Sequence, residues 1–123
     1  EESGLELNES LHKSLWMQNI DLKQLSDKNH IIGLHSHTHP TKMGEKSFDF
    51  QMENYFKNKT VLESLLKKDV ISMSHPCNSY NSQTLEILTN LKIEIGFRAN
   101  MKFGFNSHLE LPRIDHAEIL KLL

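Results

Sequence analysis

The sequence predicts an α/β fold built around a parallel sheet, and three observations carry that expectation. Short apolar runs alternate with longer amphipathic segments along the chain, which is the pattern of βα units. The histidine cluster from His35, the loop from His75 and Arg98 each follow a strand candidate directly, as in sheets whose chemistry collects beyond the carboxyl ends of the strands. With 123 residues, 37% of them hydrophobic, the chain has enough apolar material for one core, so residues 1–123 are read as a single domain.

The elements follow in order. Residues 6–16 carry Leu7, Leu11 and Leu15 at helical spacing. Asp21 can cap a short second helix that holds Leu22 and Leu25. The run Ile31-Ile32-Gly33-Leu34 is apolar and β-branched, which predicts a buried strand. Residues 47–67 form the longest helix candidate, with Phe48, Met52, Tyr55, Leu62 and Leu66 on one stripe. Val70 to Met73 is the next strand, Pro76 to Asn81 a loop, Thr84 to Leu91 a helix and Ile93 to Phe97 a strand. A polar loop around Gly104 to Ser107 leads to a short strand, Leu111 to Ile114, and a last helix, Ala117 to Leu122.

Composition excludes several function classes. The net charge is -2 with neutral histidines, and the lysines are scattered among acidic residues. Nucleic-acid binders show a basic excess or stripe instead. No apolar run approaches the roughly 18 residues that span a bilayer. Residues 1–10 are acidic and polar, unlike a secretory signal. One cysteine, Cys77, excludes an intrachain disulfide. It reads as a small buried hydrophobe rather than a nucleophile, since no Cys/His/Asn arrangement accompanies it. The chain begins with Glu rather than Met, so it is expected to be a processed product, a trimmed chain or a fragment.

Histidine is the unusual component. There are eight, and His35, His37 and His39 fall within five positions just after a predicted strand. Imidazole is the commonest protein ligand for zinc. Geometry limits which pair can share an ion. In an extended strand residues 35 and 39 would lie about 13 Å apart, too far for two bonds of about 2.1 Å. A curl after Leu34 would bring them to about 6 Å, as residues four apart lie in a helical turn. Without the curl, His35/His37 or His37/His39 would serve, and spacing alone does not choose.

The segment Ile32-Gly33-Leu34-His35-Ser36-His37-Thr38-His39-Pro40 resembles the second motif of the polysaccharide deacetylases, the NodB-homology family, of the form I-G-x-H-S/T-x-x-x-H. Three further segments resemble later motifs in family order. Ser74-His75-Pro76-Cys77-Asn78-Ser79-Tyr80-Asn81 is similar to the aromatic-Pro-aromatic-Gly loop with its Tyr-Asn. Gly96-Phe97-Arg98-Ala99 resembles a later strand, and Leu111-Pro112-Arg113-Ile114-Asp115 resembles the L-P-R-I ending. The resemblance covers roughly residues 14 to 120 and implies part of a NodB-type distorted (β/α) barrel, parallel strands flanked by helices.

The resemblance also implies roles. His35 and His39 become the metal ligands, with His37 a neighbour. The cofactor is a divalent metal, zinc the first expectation. The loop residues His75, Pro76 and Tyr80, together with Arg98, face the substrate. His75 is either a polar groove residue or a packed loop histidine. Arg113 orients a carboxylate base, or forms a surface ion pair with Asp115 or Glu118. His116 is the candidate general acid. The implied reaction is hydrolysis of an acetyl group from a sugar: the metal polarises the carbonyl and acidifies a water, and an aspartate takes the proton.

The departures from the family pattern point to a divergent subfamily. His75, Cys77 and Asn78 stand where aromatic residues, Arg or Gly are usual. The family's first motif, T-F-D-D, supplies an aspartate ligand and an aspartate base, and no Asp-Asp pair occurs in this chain. The chain alone is therefore expected to be a weak or dead catalyst. The alternatives are a non-catalytic metal- or carbohydrate-binding module, and a structural fragment that associates with a second copy through an open barrel edge.

Overall fold

The structure, a computed structural model, describes residues 15–102, 104, 107–114 and 116–119. Contacts group the chain into two units, Glu1–Ile32 and Gly33–Leu123. The helix predicted over 6–16 falls almost wholly outside the described residues. In the first unit, α1 spans Asn19–Asp27. Asp21 does cap it, from inside the first turn: its carboxylate accepts the Gln18 backbone N–H at 2.7 Å. That satisfies one of the donors a helix start leaves free.

The second unit is built on a row of four parallel chain segments. They are Leu34, β1 (Ser72–Ser74), β2 (Ile95–Phe97) and Leu111. In β1 and β2 Ser72 pairs with Ile95, Met73 with Gly96 and Ser74 with Phe97. Leu34 bridges to Met73, and Leu111 to Phe97. The spatial order is the sequence order. Among the described residues the row is open at both flanks.

Two predicted strands are corrected here to single bridging residues. Over Ile31–Leu34 only Leu34 pairs: its N–H donates to Ser72 O at 2.8 Å, and its carbonyl accepts the Ser74 N–H at 2.9 Å. Ile31 is 83% exposed, so the apolar run is only buried at its last residue. Over Leu111–Ile114 only Leu111 pairs, since Pro112 has no N–H to offer a ladder.

Gly33 is required by the close approach of the first segment to β1. A Cβ there would sit 2.7 Å from Ser72 Oγ and 2.9 Å from Ser72 O. Gly96 does the same at the next seam, where a Cβ would meet Leu109 O at 2.6 Å.

The crossovers are helical. α2 (Phe48–Leu66) joins Leu34 to β1, and α3 (Ser82–Asn90) joins β1 to β2. Ser47 caps α2 by accepting the Phe50 N–H, and Lys67, in the left-handed region at φ 56°, ends it. The predicted stripe of α2 buries Tyr55 and Leu62, and the same face also buries Gln51 and Asn54. Gln51 earns its place by hydrogen bonds: Oε1 accepts the Thr84 hydroxyl of α3, and Nε2 donates to Lys46 O at 2.8 Å. Thus α2 and α3 are tied by polar as well as apolar contacts. Glu63 fixes the far end of α2 to the segment that leads into β1. Its carboxylate accepts Lys59 Nζ and the Val70 N–H. Desolvation would raise its pKa, but these donors prevail and lower it.

The core between helices and sheet holds Leu34, Met43, Tyr55, Leu62, Val70, Met73, Ile87, Leu88, Ile93 and Leu109. Each side chain of this size contributes roughly 1.5–3 kcal/mol by leaving water. Beyond Leu111 the backbone forms α4 (His116–Ile119). Asp115 and the side chain of His116 lie outside the described residues.

Candidate functional site

The loop after Leu34 curls, but not as a helix. Ser36 and His39 both take the left-handed conformation, at φ 63° and 51°. Neither is glycine, so each such residue needs local bonds to hold it. Ser36 is buried, and its hydroxyl accepts the His39 N–H at 3.0 Å. The result brings His35 Nε2 and His39 Nε2 to 3.1 Å, with ring centroids 4.8 Å apart and planes tilted by 54°.

His35 is oriented from behind. Its Nδ1 lies 2.8 Å from Ser74 O and 3.2 Å from Ser74 Oγ, at the carboxyl end of β1. A carbonyl only accepts, so Nδ1 carries the proton and Nε2 presents its lone pair towards His39. Metal-binding histidines are commonly fixed in this way by a backbone carbonyl on the second nitrogen. Two nitrogens on a tetrahedral zinc at about 2.1 Å each stand about 3.4 Å apart. The observed separation of 3.1 Å is close to that bite, so the pair fits two ligands of one ion. Among the described residues no group of three His, Cys, Asp or Glu side chains could hold a metal. The donor set here is two imidazoles.

α2 holds the loop from the side. Asn54 Oδ1 accepts the backbone N–H groups of His37 and Thr38, at 2.7 and 3.2 Å. Asn58 Oδ1 accepts that of His35 at 3.1 Å. These asparagines were not anticipated from the sequence. Their four-residue spacing puts them on one helix face, and that was the available signal.

The second cluster follows β1. His75 is 1% exposed. Its Nε2 lies 2.8 Å from Leu109 O, its ring stacks on Tyr80 with centroids 4.1 Å apart, and its Nδ1 has no partner among the described residues. These are the surroundings of a packed loop histidine, one of the two expectations for it. Burial lowers its pKa, against the opposing pull of Leu109 O and Glu110. The Tyr80 hydroxyl donates to Glu110 Oε1 at 3.0 Å. Burial, and then Glu110, raise the phenol's pKa.

Pro76 is buried in a short 3₁₀ turn, Pro76–Asn78. Arg98 is 6% exposed, and its guanidinium donates to Lys102 O. It is near enough to bear on the ionisation of both His75 and Tyr80. Cys77 is exposed, which corrects the expectation of a buried hydrophobe. At φ 49° it sits on the outside of the turn. Arg113 is exposed. The structure thus gathers His35 with His39, and His75 with Tyr80 and Arg98.

A parallel sheet laid in chain order, with paired imidazoles and a polar loop at the strand ends, defines an α/β protein whose small, open sheet carries its polar groups at the carboxyl edge. The polysaccharide deacetylase family profile matches residues 12–96. The chain belongs to the polysaccharide deacetylase family.

Solved structures agree in fold. The Streptococcus pyogenes deacetylase PplD, in complex with acetate, is 24% identical with a TM-score of 0.73, covering 85% of this chain and 47% of that one. The BpsB deacetylase domain from Bordetella bronchiseptica is 10% identical with a TM-score of 0.69, covering 80% of this chain and 48% of that one. Wild-type BA3943 of Bacillus anthracis, a CE4 family pseudoenzyme, is 23% identical with a TM-score of 0.58, covering 61% of this chain and 26% of that one. The chain therefore spans about half or less of each of these structures. Comparison with curated protein sequences gives no significant match.

Proposed function

We propose that this chain is the metal-binding part of an enzyme that hydrolyses acetyl groups from a sugar or polysaccharide. The observation that carries the proposal is the 3.1 Å approach of His35 Nε2 to His39 Nε2, with Nδ1 of His35 fixed on Ser74 O. A divalent cation, zinc first, held by these nitrogens and a carboxylate would supply Lewis-acid polarisation of the acetyl carbonyl and acidify water. The described residues offer no such carboxylate beside the pair. Pro76, Tyr80, His75 and Arg98 form or support one wall of the sugar groove. Arg113 orients the carboxylate base. His116 gives a proton to the leaving nitrogen as the carbon–nitrogen bond breaks, and the hydroxyl of water ends on the acetyl carbon.

Zinc calorimetry tests the assignment. His35→Ala with His39→Ala should abolish binding, and His37→Ala should leave most of it. Unchanged binding in the double variant would sink the ligand assignment.

A second reading is a non-catalytic metal- or carbohydrate-binding module. It is favoured by the lack of any Asp-Asp pair in the sequence. A third, self-association through the free flank of Leu34, follows from the absence of a strand there among the described residues.

A further inference from the structure

The stretch from His35 to His39 lies outside the sheet and the helices, so its backbone donors must find partners elsewhere. Three of them go to two side chains of α2. His37 and Thr38 N–H donate to Asn54 Oδ1, and His35 N–H donates to Asn58 Oδ1. Asn54 Nδ2 returns a bond to Thr38 Oγ1 at 2.7 Å. Asn54 is 7% exposed, and a buried amide is unfavourable unless it is bonded. Asparagine is also a poor residue for a helix interior. Both costs are met by this loop, which sets the pair apart from ordinary solvated helix residues.

We infer that Asn54 and Asn58 are positioning residues, which hold the curl that keeps His35 Nε2 and His39 Nε2 within one cation's bite. The inference rests on the metal reading above. The asparagines act on the backbone and not on the rings. A loop released from them spends only part of its time with the two nitrogens correctly spaced. Apparent affinity then falls by the fraction of time the competent form is populated.

Calorimetry with Zn²⁺ alone tests this on the full chain, each variant first shown to keep the wild-type circular dichroism. Asn54→Leu and Asn58→Leu should each weaken zinc binding by about 10- to 100-fold, the range for outer-shell residues. Asn54→Asp and Asn58→Asp keep the acceptor oxygen and should retain wild-type affinity or better. Asn54→Gln keeps an amide but displaces the acceptor by one methylene; it should bind about tenfold more weakly and serves if the leucine variants do not fold. Folded leucine or glutamine variants that bind as wild type overturn the inference, as do aspartate variants as weak as the leucine ones. In those cases loss of binding in the double His35→Ala/His39→Ala variant keeps the metal reading standing. Unchanged binding in that double variant overturns the metal reading, and this inference with it.

Discussion

His75 shows what a single side chain contributes. Its ring is buried under Tyr80 and, among the described residues, hydrogen-bonded through Nε2 alone. Desolvation disfavours the imidazolium more than Leu109 O and Glu110 favour it, and His35 and Arg98 push the same way as burial. The folded-state pKa therefore lies below the value of about 6.5 expected in the unfolded chain. As pH falls, the unfolded chain takes up this proton first. The stability that depends on a neutral His75 is fully present above about pH 6.5 and is lost as pH falls towards the folded value. Urea unfolding at about pH 7.5 and about pH 5.5 should show a larger loss of stability in wild type than in His75→Gln. Equal losses would contradict this account.

The paired imidazoles were only partly legible at this scale. The spacing of His35, His37 and His39 left three pairings open, and the family resemblance chose among them. The left-handed turns at Ser36 and His39 were not legible, because neither residue type announces that conformation as glycine does. Asn54 and Asn58 were missed for a related reason. Asn54 follows Glu53 and Asn58 stands between Lys57 and Lys59, so both read as part of a solvated helix face, and their shared spacing does not say what that face meets. His75 shows the limit of motif reading in the other direction. Its place in the motif left groove and packing open, and only the position of Leu109 O decides its surroundings.

Among elements, helices were read more closely than strands. α2 is expected over 47–67 and spans Phe48–Leu66; of its stripe Tyr55 and Leu62 are buried, with Phe48, Met52 and Leu66 half-buried. α3 begins two residues before the predicted Thr84 because Asn81 is the cap, and Thr84 supplies the reciprocal bond. The strands are short, and their residues are buried by neighbours distant in sequence, so apolar runs overstated them. Ile31 and Ile114 were included by type alone.

Asn81 also joins α3 to the loop before α2, donating Nδ2 to Gly44 O at 2.7 Å. Asn81→Ala removes the cap and that tie together. It should cost about 1–2 kcal/mol, measured as a shift in the chemical-denaturation midpoint. A shift no larger than that of the exposed Ser82→Ala would show that the cap is dispensable.

At the scale of the whole molecule, the two imidazoles need a third, anionic partner to make a strong hydrolytic site. The chain on its own should therefore turn over an acetylated amino-sugar oligomer no faster than the His35→Ala/His39→Ala variant. Robust, zinc-dependent release of acetate by this chain alone would show that it contains its own base. Among the described residues no strand pairs on the far side of Leu34, and on the self-association reading a second copy would add there. Light scattering should show mass rising with concentration, and a clean monomer across the range would remove the self-association reading.

The row Leu34, β1, β2, Leu111 runs in the order of synthesis. Every pairing is closed by a single intervening crossover, so none waits for the far terminus to arrive, which keeps loop-closure entropy small. Damage is confined in the same way. A lesion in one crossover bears first on the joint it spans, while the pairings beyond it keep their own connections.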